Sequence, residues 1–398
     1  MKFVVDGLGL ISGGGKACVH NLLPAMARLG RHEYVAMLPD MPEYSGLGSQ
    51  ALRVVPRPSL SHRSLLLRGW WLNVTVPKLC RQEKADALLC LGNFVPHHPP
   101  VPTVTFLQNA YYVYRDSVAY QGLTFRGRLR VKYGWHLFRH LAGNVSVVVQ
   151  TEVMKHRILT QCAISPSRVY VIPDRGVNLL ACRGSSVNSR EGASSPFTFL
   201  CVSVCSPHKN LAVLVEAVKR LSTLTQRPFR CLLTIHREQH PSARKLLATI
   251  QRERVGDVLV NMGELPPERL AALYGSADAF ILPTLLESFG RPYSEAMQFD
   301  LPILTSDRDF AHERCQDAAL YFDPLDADSV AKAMGRIMEE EELRQRLAEN
   351  GRRILAQAPT WDDIAGRFVK VLERVARGQL PGVEESLSSA DGLFRERS

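Results

Sequence analysis

Short apolar runs alternate with amphipathic stretches along nearly the whole chain. Runs of strand character fall at Lys2–Gly7, His32–Leu38, Arg53–Val55, Ala87–Cys90, Thr103–Leu107, Val145–Gln150 and Arg168–Pro173. They resume at Phe197–Val204, Phe229–Ile235, Val258–Met262, Ala279–Leu282, Pro302–Thr305 and Leu320–Phe322. Between them lie helical patterns at Lys16–Leu29, Thr124–Leu141, Leu211–Leu221, His240–Gln251, Pro266–Tyr274, Ala327–Met338 and Glu341–Gln357. Buried-type strands alternating with helices, twice over, predict an α/β chain with two parallel-sheet, Rossmann-like domains. The polar Gly/Ser stretch 182–196 reads as the linker, placing one domain at 1–181 and the other at 197–357. A last helix is expected within 358–377, and the Ser/Glu-rich 378–398 reads as a disordered tail.

Candidate chemistry gathers in PTLLESFGRPYSEAMQFDLPILTSD, Pro283 to Asp307. A strand leads to a polar loop with Glu287 and Gly290. A helix then opens at Pro292 and carries Glu295, eight positions after Glu287. Proline suits a first helical position, and the unpaired amides there suit an anion. Both carboxylates would face the crevice at a strand's carboxyl end, where open α/β sheets bind ligands. Earlier, Ser206-Pro207-His208-Lys209-Asn210 follows a strand and places Lys209 at the mouth of a helix. Near the start, Gly7-Leu8-Gly9 and Gly13-Gly14-Gly15 form a glycine loop that is not G-x-G-x-x-G. It reads equally as a phosphate cradle or as a tight turn without a ligand.

The run E-S-F-G-R-P-Y-S-E-A-M resembles the E-x7-E signature of retaining glycosyltransferases with two Rossmann-like domains, the GT-B fold, and in particular glycosyltransferase family 4. The pieces V-V-Q-T and V-I-P-D-R-G-V-N resemble the end of that family's first domain. The resemblance implies a second domain that holds a nucleotide-diphospho-sugar and a first that holds the acceptor across a cleft. It implies a final helix crossing back to the first domain. It implies that Glu287 meets the sugar, Lys209 the donor diphosphate and Glu295 the ribose. The loop Ser288, Phe289, Gly290 and Arg291 would line the donor, and Gly14 and Gly15 would lie under its phosphates or near the acceptor. Many members carry an Arg where this chain has Ser203, and Arg175 or Arg291 would substitute. Many also carry a His where this chain has Gln108, so Gln108 or Asn109 would contact the sugar, against plain loop roles; His97 and His98 read as surface residues. The reaction implied is transfer of a hexose with retention, the leaving phosphate deprotonating the acceptor on the same face. No metal-ligand cluster is visible, and no cofactor is expected, the nucleotide-diphospho-sugar being substrate. The Pro-His-Lys-Asn variant leans to GDP-mannose and cell-surface polysaccharide synthesis.

Composition changes the picture in one respect. With 45% hydrophobic and 22% charged residues the chain is ordinary and globular. It has no run of about eighteen apolar residues. Its start lacks a signal-peptide layout, and nine scattered cysteines suit reduced thiols in a cytoplasmic protein. The charge, however, is lopsided. Residues 1–185 carry 22 Lys and Arg against 9 Asp and Glu, net +13, leaving −3 for the rest. A basic first half implies an anionic partner surface. At Thr124–Leu141, Phe125, Leu129, Tyr133, Leu137 and Leu141 recur every fourth residue among Arg126, Arg128, Arg130, Lys132 and Arg139. This reads as an amphipathic helix with its stripe on the core. The arginines, with the Arg63–Trp71 segment, would then meet anionic lipid. A lipid-linked oligosaccharide acceptor and a place on the inner membrane face follow as expectations. The rivals are a same-fold epimerase or phosphorylase, and a basic nucleic-acid-binding protein. The first would need a different signature around Glu287. The second lacks any recognised nucleic-acid motif, and no nucleic acid is expected as partner.

Overall fold

A computed structural model of the chain describes residues 1–10, 13–58, 65–115, 117–182 and 195–379. The expected linker lies outside them from 183 to 194, the expected tail from 380 onward, and Arg63 falls outside as well. The chain forms two compact units. Unit 1 holds 1–113, 129–174 and the described residues from Pro359; unit 2 holds 114–128 and 175–358. The division therefore falls at 174 and not near 181, and 114–128 groups with the second unit.

Unit 1 is a parallel sheet of seven strands. They are β1 (Lys2–Asp6), β2 (Glu33–Pro39), β3 (Leu52–Arg57), β4 (Ala87–Cys90), β5 (Thr103–Phe106), β6 (Ser146–Val149) and β7 (Val169–Val171), in the order β3-β2-β1-β4-β5-β6-β7. Val5 lies beside Ala36 on one side and Leu89 on the other, so β1 is central and apolar on both faces. Unit 2 repeats the plan with six strands. They are β8 (Phe197–Cys201), β9 (Phe229–Leu233), β10 (Leu259–Asn261), β11 (Ala279–Leu282), β12 (Ile303–Ser306) and β13 (Ala319–Phe322), in the order β10-β9-β8-β11-β12-β13. Phe199 sits between Cys231 and Ala279. In each sheet the chain leaves the first strand to one side and returns on the other. The loops at the carboxyl ends of β1 and β4, and of β8 and β11, therefore part and leave a crevice.

The last helix, Trp361–Ala376, packs in unit 1. Thr360 and Asp363 close its start as a reciprocal capping box. Ile364, Phe368, Val369 and Leu372 enter the core under β1, β4 and β5, with the Phe368 ring edge-on to Phe106 at 5.2 Å. Each such side chain contributes about 1.5–3 kcal/mol by burial, which fastens the C-terminal helix to the first sheet.

Two expectations change. Gly13, Gly14 and Gly15 are not loop: the helix already begins at Gly13 and runs to Arg28. A Cβ on Gly15 would lie 2.8 Å from Leu10 Cδ2, so that glycine serves the close packing of the entering turn. The Phe125–Ala142 helix exists, but its stripe does not lie on the core. Phe125, Leu129 and Tyr133 are 79%, 57% and 68% exposed. The buried face is Gly134, Trp135, Phe138, Leu141 and Ala142. A helix turns about 100° per residue, so a spacing of four advances about 40° beyond each full turn. From Phe125 to Leu141 the stripe winds about 160° around the helix, from solvent to core.

Candidate functional site

The crevice of unit 2 is built by two loops that share one carbonyl. After β8 the chain makes a short 3-10 turn, Pro207–Lys209, with proline preset at its start. The turn ends at Asn210 in a left-handed conformation, φ 53°, which asparagine tolerates better than most residues. Asn210 also donates its side-chain amide to Pro324 O at 2.7 Å. The helix itself starts only at Val213, so Lys209 stands in the turn before it and not at its mouth. After β11, Leu285 N and Thr284 Oγ1 both donate to His208 O, at 2.7 and 3.3 Å. That shared acceptor brings the loops together and places Lys209 against Glu287. Lys209 Nζ donates to Glu287 Oε1, and both side chains are buried. The two candidates assigned separately to sugar and diphosphate thus form one ion pair. His208 beside them is neutral, its imidazole pushed down to about 3 by burial and by the neighbouring Lys209 and His240 charges.

The next turn carries the other acidic residue. Gly290, φ 76°, caps the Arg291–Gln298 helix, which has proline in its first turn. A Cβ there would meet Tyr293 Cε2 at 2.5 Å, so both backbone and space require glycine. Glu295 is buried one turn in and accepts from Tyr274 Oη at 3.0 Å. Burial raises its carboxyl above the ordinary range, against the Tyr274 hydrogen bond and the Arg291 charge. Arg314 covers the Phe289 ring at 3.7 Å and donates to Phe289 O and Ser294 Oγ, fixing the turn from Ser288 to Arg291. Gly176 presses on the same helix, its Cβ direction 3.5 Å from Glu295 Cγ. Gln298 clamps that segment through Val177 O and Leu179 N, at 2.9 and 3.0 Å. Arg175 therefore belongs to unit 2, where it reaches Ala358 O at 3.4 Å. Ser203 spends its hydroxyl on Val204 O, 3.1 Å away. Tyr274 and Arg314 escaped the sequence reading, since no local pattern ties them to the motif, and His208 was read only as part of the Pro-His-Lys-Asn run, with no role of its own.

In unit 1 the β1/β4 crevice holds Asp6, wholly buried, its carboxyl raised by burial while Leu8 N donates to it at 3.2 Å. Arg68 enters from the Leu65–Trp70 helix, donates to Gly92 O at 3.0 Å and lies 5.3 Å from the Phe94 ring. A side chain on Gly9 would collide with its guanidinium. Neither Asp6 nor Arg68 stood out in the sequence. Gln108 and Asn109 are nearby but occupied: both backbone amides donate to Asn93 Oδ1, at 2.6 and 2.9 Å. Gln108 Nε2 bonds Leu91 O, and Asn109 Oδ1 caps the Ala110–Tyr112 turn. His97 and His98 are exposed. Among the described residues no group of three or more His, Cys, Asp or Glu is placed to hold a metal ion.

Two Rossmann-like parallel sheets in sequence are the arrangement of the GT-B fold found in glycosyltransferases. Residues 187–354 match the family described as glycosyl transferases group 1. Over 220 residues the chain is 29% identical to an MMP alpha-(1->4)-mannosyltransferase of Mycolicibacterium hassiacum, 54% of this chain and 51% of that one. Over 166 residues it is 27% identical to the O-antigen chain mannosyltransferase B of Escherichia coli, 41% of this chain and 42% of that one. The match thus spans about half the length of these relatives. A sucrose-phosphate synthase from Thermosynechococcus elongatus shares the fold, with TM-score 0.73 and 15% identity, over 95% of this chain and 100% of that one.

Proposed function

We propose that this chain is a retaining glycosyltransferase that moves a hexose from a nucleotide-diphospho-sugar to a glycan acceptor. The observation that carries this reading is the Lys209–Glu287 pair, joined through one carbonyl at the β8/β11 crevice, with Glu295 on the helix that follows. An ammonium has three donors, and Glu287 uses one. The others would face the donor diphosphate as its charge grows, assisted by the amides from Ser288 to Gly290. Preorganised charge of this kind is often the largest catalytic contribution. Glu287 would orient the sugar hydroxyls. Glu295 keeps one oxygen on Tyr274 and would offer the other to the ribose. The leaving phosphate would take the acceptor proton on the face it departs from. A covalent sugar on Glu287 fits poorly, because no second carboxylate is assigned opposite it as in a retaining glycosidase.

The mannosyl relatives support mannose as the sugar, and GDP as its carrier is the working choice. The acceptor belongs to unit 1, where the net charge of the first half, +13, suits a lipid-linked oligosaccharide carried on phosphate. There Arg68 and Asp6 are the acceptor-side groups the geometry favours over Gln108 and Asn109. A thermal-shift screen across nucleotide sugars tests the donor, since a ligand of the folded form raises Tm. Transfer from the best hit should persist in EDTA. Strict dependence on an added divalent ion, or hydrolysis without any acceptor transfer, would overturn the reading.

A further inference from the structure

We propose that a cavity at the amino-terminal edge of the first sheet is a binding site for a small molecule that carries a phosphate group. The cavity measures about 940 Å³ and lies within unit 1. It opens between the turn that joins the helix Gly13–Arg28 to β2 and the loop that leads into β3. Tyr34 N donates to Ala51 O at 2.8 Å, which sets these two segments side by side. β2 begins at Glu33 and β3 at Leu52, so the cavity stands at the other end of the strands from the crevice of Asp6 and Arg68.

One wall is cationic. Gly30, φ 65°, ends the helix, and Arg28, Arg31 and His32 line the cavity around it. Arg28 donates to Asp362 Oδ1 at 2.6 Å and keeps further N–H groups. Arg31 is exposed and has no ion-pair partner among the described residues. His32 is 9% exposed; its Nε2 meets Glu373 Oε1 at 2.7 Å, and its Nδ1 is buried without a hydrogen-bond partner among the described residues. Buried polar atoms are almost always paired, so an unmet ring nitrogen on a cavity wall calls for a ligand atom. The carboxylate on this wall, Glu33, is held by Lys2 Nζ at 3.1 Å. The facing loop offers donors. Ser49 and Leu52 exchange both backbone hydrogen bonds, at 2.8 and 3.2 Å, which leaves the amides of Gly48 and Gln50 without an acceptor among the described residues. A Cβ on Gly46 or Gly48 would meet nothing closer than 3.8 Å, so the loop leaves the cavity uncovered. Guanidiniums opposite unpaired amides match phosphate, whose oxygens accept several N–H donors at once. Small-molecule pockets run to roughly 300–1,000 Å³, so the cavity has room for the organic part of a sugar phosphate. Arg28 and His32 also fasten the last helix, through Asp362 and Glu373, so the ligand would bind where Trp361–Ala376 is anchored.

The test is thermal shift and hydrogen-exchange mass spectrometry of the full chain at low salt, with inorganic phosphate and with glucose 6-phosphate; neither probe calls on the transfer reaction. Both should raise Tm and slow exchange at 28–33, 46–51 and 361–376. Tighter binding of the sugar phosphate would identify an organic phosphate as the ligand, and equal affinity would identify free phosphate. Arg31→Glu and, separately, Gly48→Leu should each weaken the affinity for the probes at least tenfold. Tm without ligand should stay unchanged in both, because both positions are exposed. Succinate, a dianion without the phosphate group, should bind at least tenfold more weakly. Slowed exchange confined to 206–210 and 285–298 would place the anion in the β8/β11 crevice and overturn the proposal. Affinity untouched by both variants, no binding of either probe, or succinate binding as tightly as phosphate would overturn it as well.

Discussion

The two sheets share a topology and open at equivalent crevices, yet they place charge there differently. In unit 2 the loop after β8 and the loop after β11 each contribute one member of a buried ion pair, and a shared carbonyl holds the loops together. In unit 1 the carboxylate stands on the central strand itself, and its cation, Arg68, comes from a separate helix between glycines that leave it room. One crevice is made by its own strand loops; the other depends on a side chain reaching in from elsewhere. The first arrangement is fixed by the fold, the second by whatever segment follows β3.

The largest effect is expected at the unit 2 pair. Lys209→Ala leaves Glu287 buried without its partner, a change of about 3–5 kcal/mol. Unit 2 should then melt roughly 10 °C lower, and kcat/KM should fall well over tenfold. A volume-preserving apolar replacement of both residues should recover most of the Tm and none of the activity. Recovery of activity would mean that the pair is structural. Next is Gly290→Ala, which imposes a left-handed backbone and a contact with Tyr293, about 1–3 kcal/mol of strain. Gly15→Ala in unit 1 meets only the end of Leu10 and should perturb Tm less; equal losses would break the distinction between the two turns.

Glu295 separates binding from stability by the sign of its pH dependence. Its folded-state pKa is raised above the unfolded 4.5 by burial. Its contribution to stability is therefore most favourable below 4.5 and is lost as pH rises through the folded value. Glu295→Gln should keep or raise Tm at pH 7.5, and the difference from wild type should shrink as pH falls toward 4.5. The same variant should lose at least tenfold in kcat/KM, about 1.4 kcal/mol of transition-state binding. A large drop in Tm at pH 7.5 would show that the carboxylate is a structural anchor. The smallest effect is expected at Arg68→Ala, with loss of one hydrogen bond to Gly92 O and about 1–2 kcal/mol. Acceptor KM should rise while donor KM stays; a rise in donor KM alone would reverse the assignment of the two crevices.

Much of this molecule was legible because its signals are local. Strands alternating with helices, the proline opening the helix that carries Glu295, and the spacing of Glu287 and Glu295 all sit within a few residues of the feature they create. What stayed hidden is long-range or geometric. Tyr274 meets Glu295 only after a strand and a turn intervene, and Arg68 meets Gly9 and Gly92 only once the sheet is formed. Gly13 to Gly15 looked like loop, because glycine signals freedom where the helix start needed only smallness. The Phe125 stripe was misplaced because a spacing of four mimics an amphipathic face while drifting steadily around the helix.

The most direct measurement is a crystal structure of the protein soaked with its best-binding sugar nucleotide. The diphosphate should lie within hydrogen-bond reach of Lys209 Nζ, the ribose on Glu295 and the hexose on Glu287. Clear density for the nucleotide beside Asp6 and Arg68, with the β8/β11 crevice holding only water, would contradict the assignment of donor and acceptor at its root.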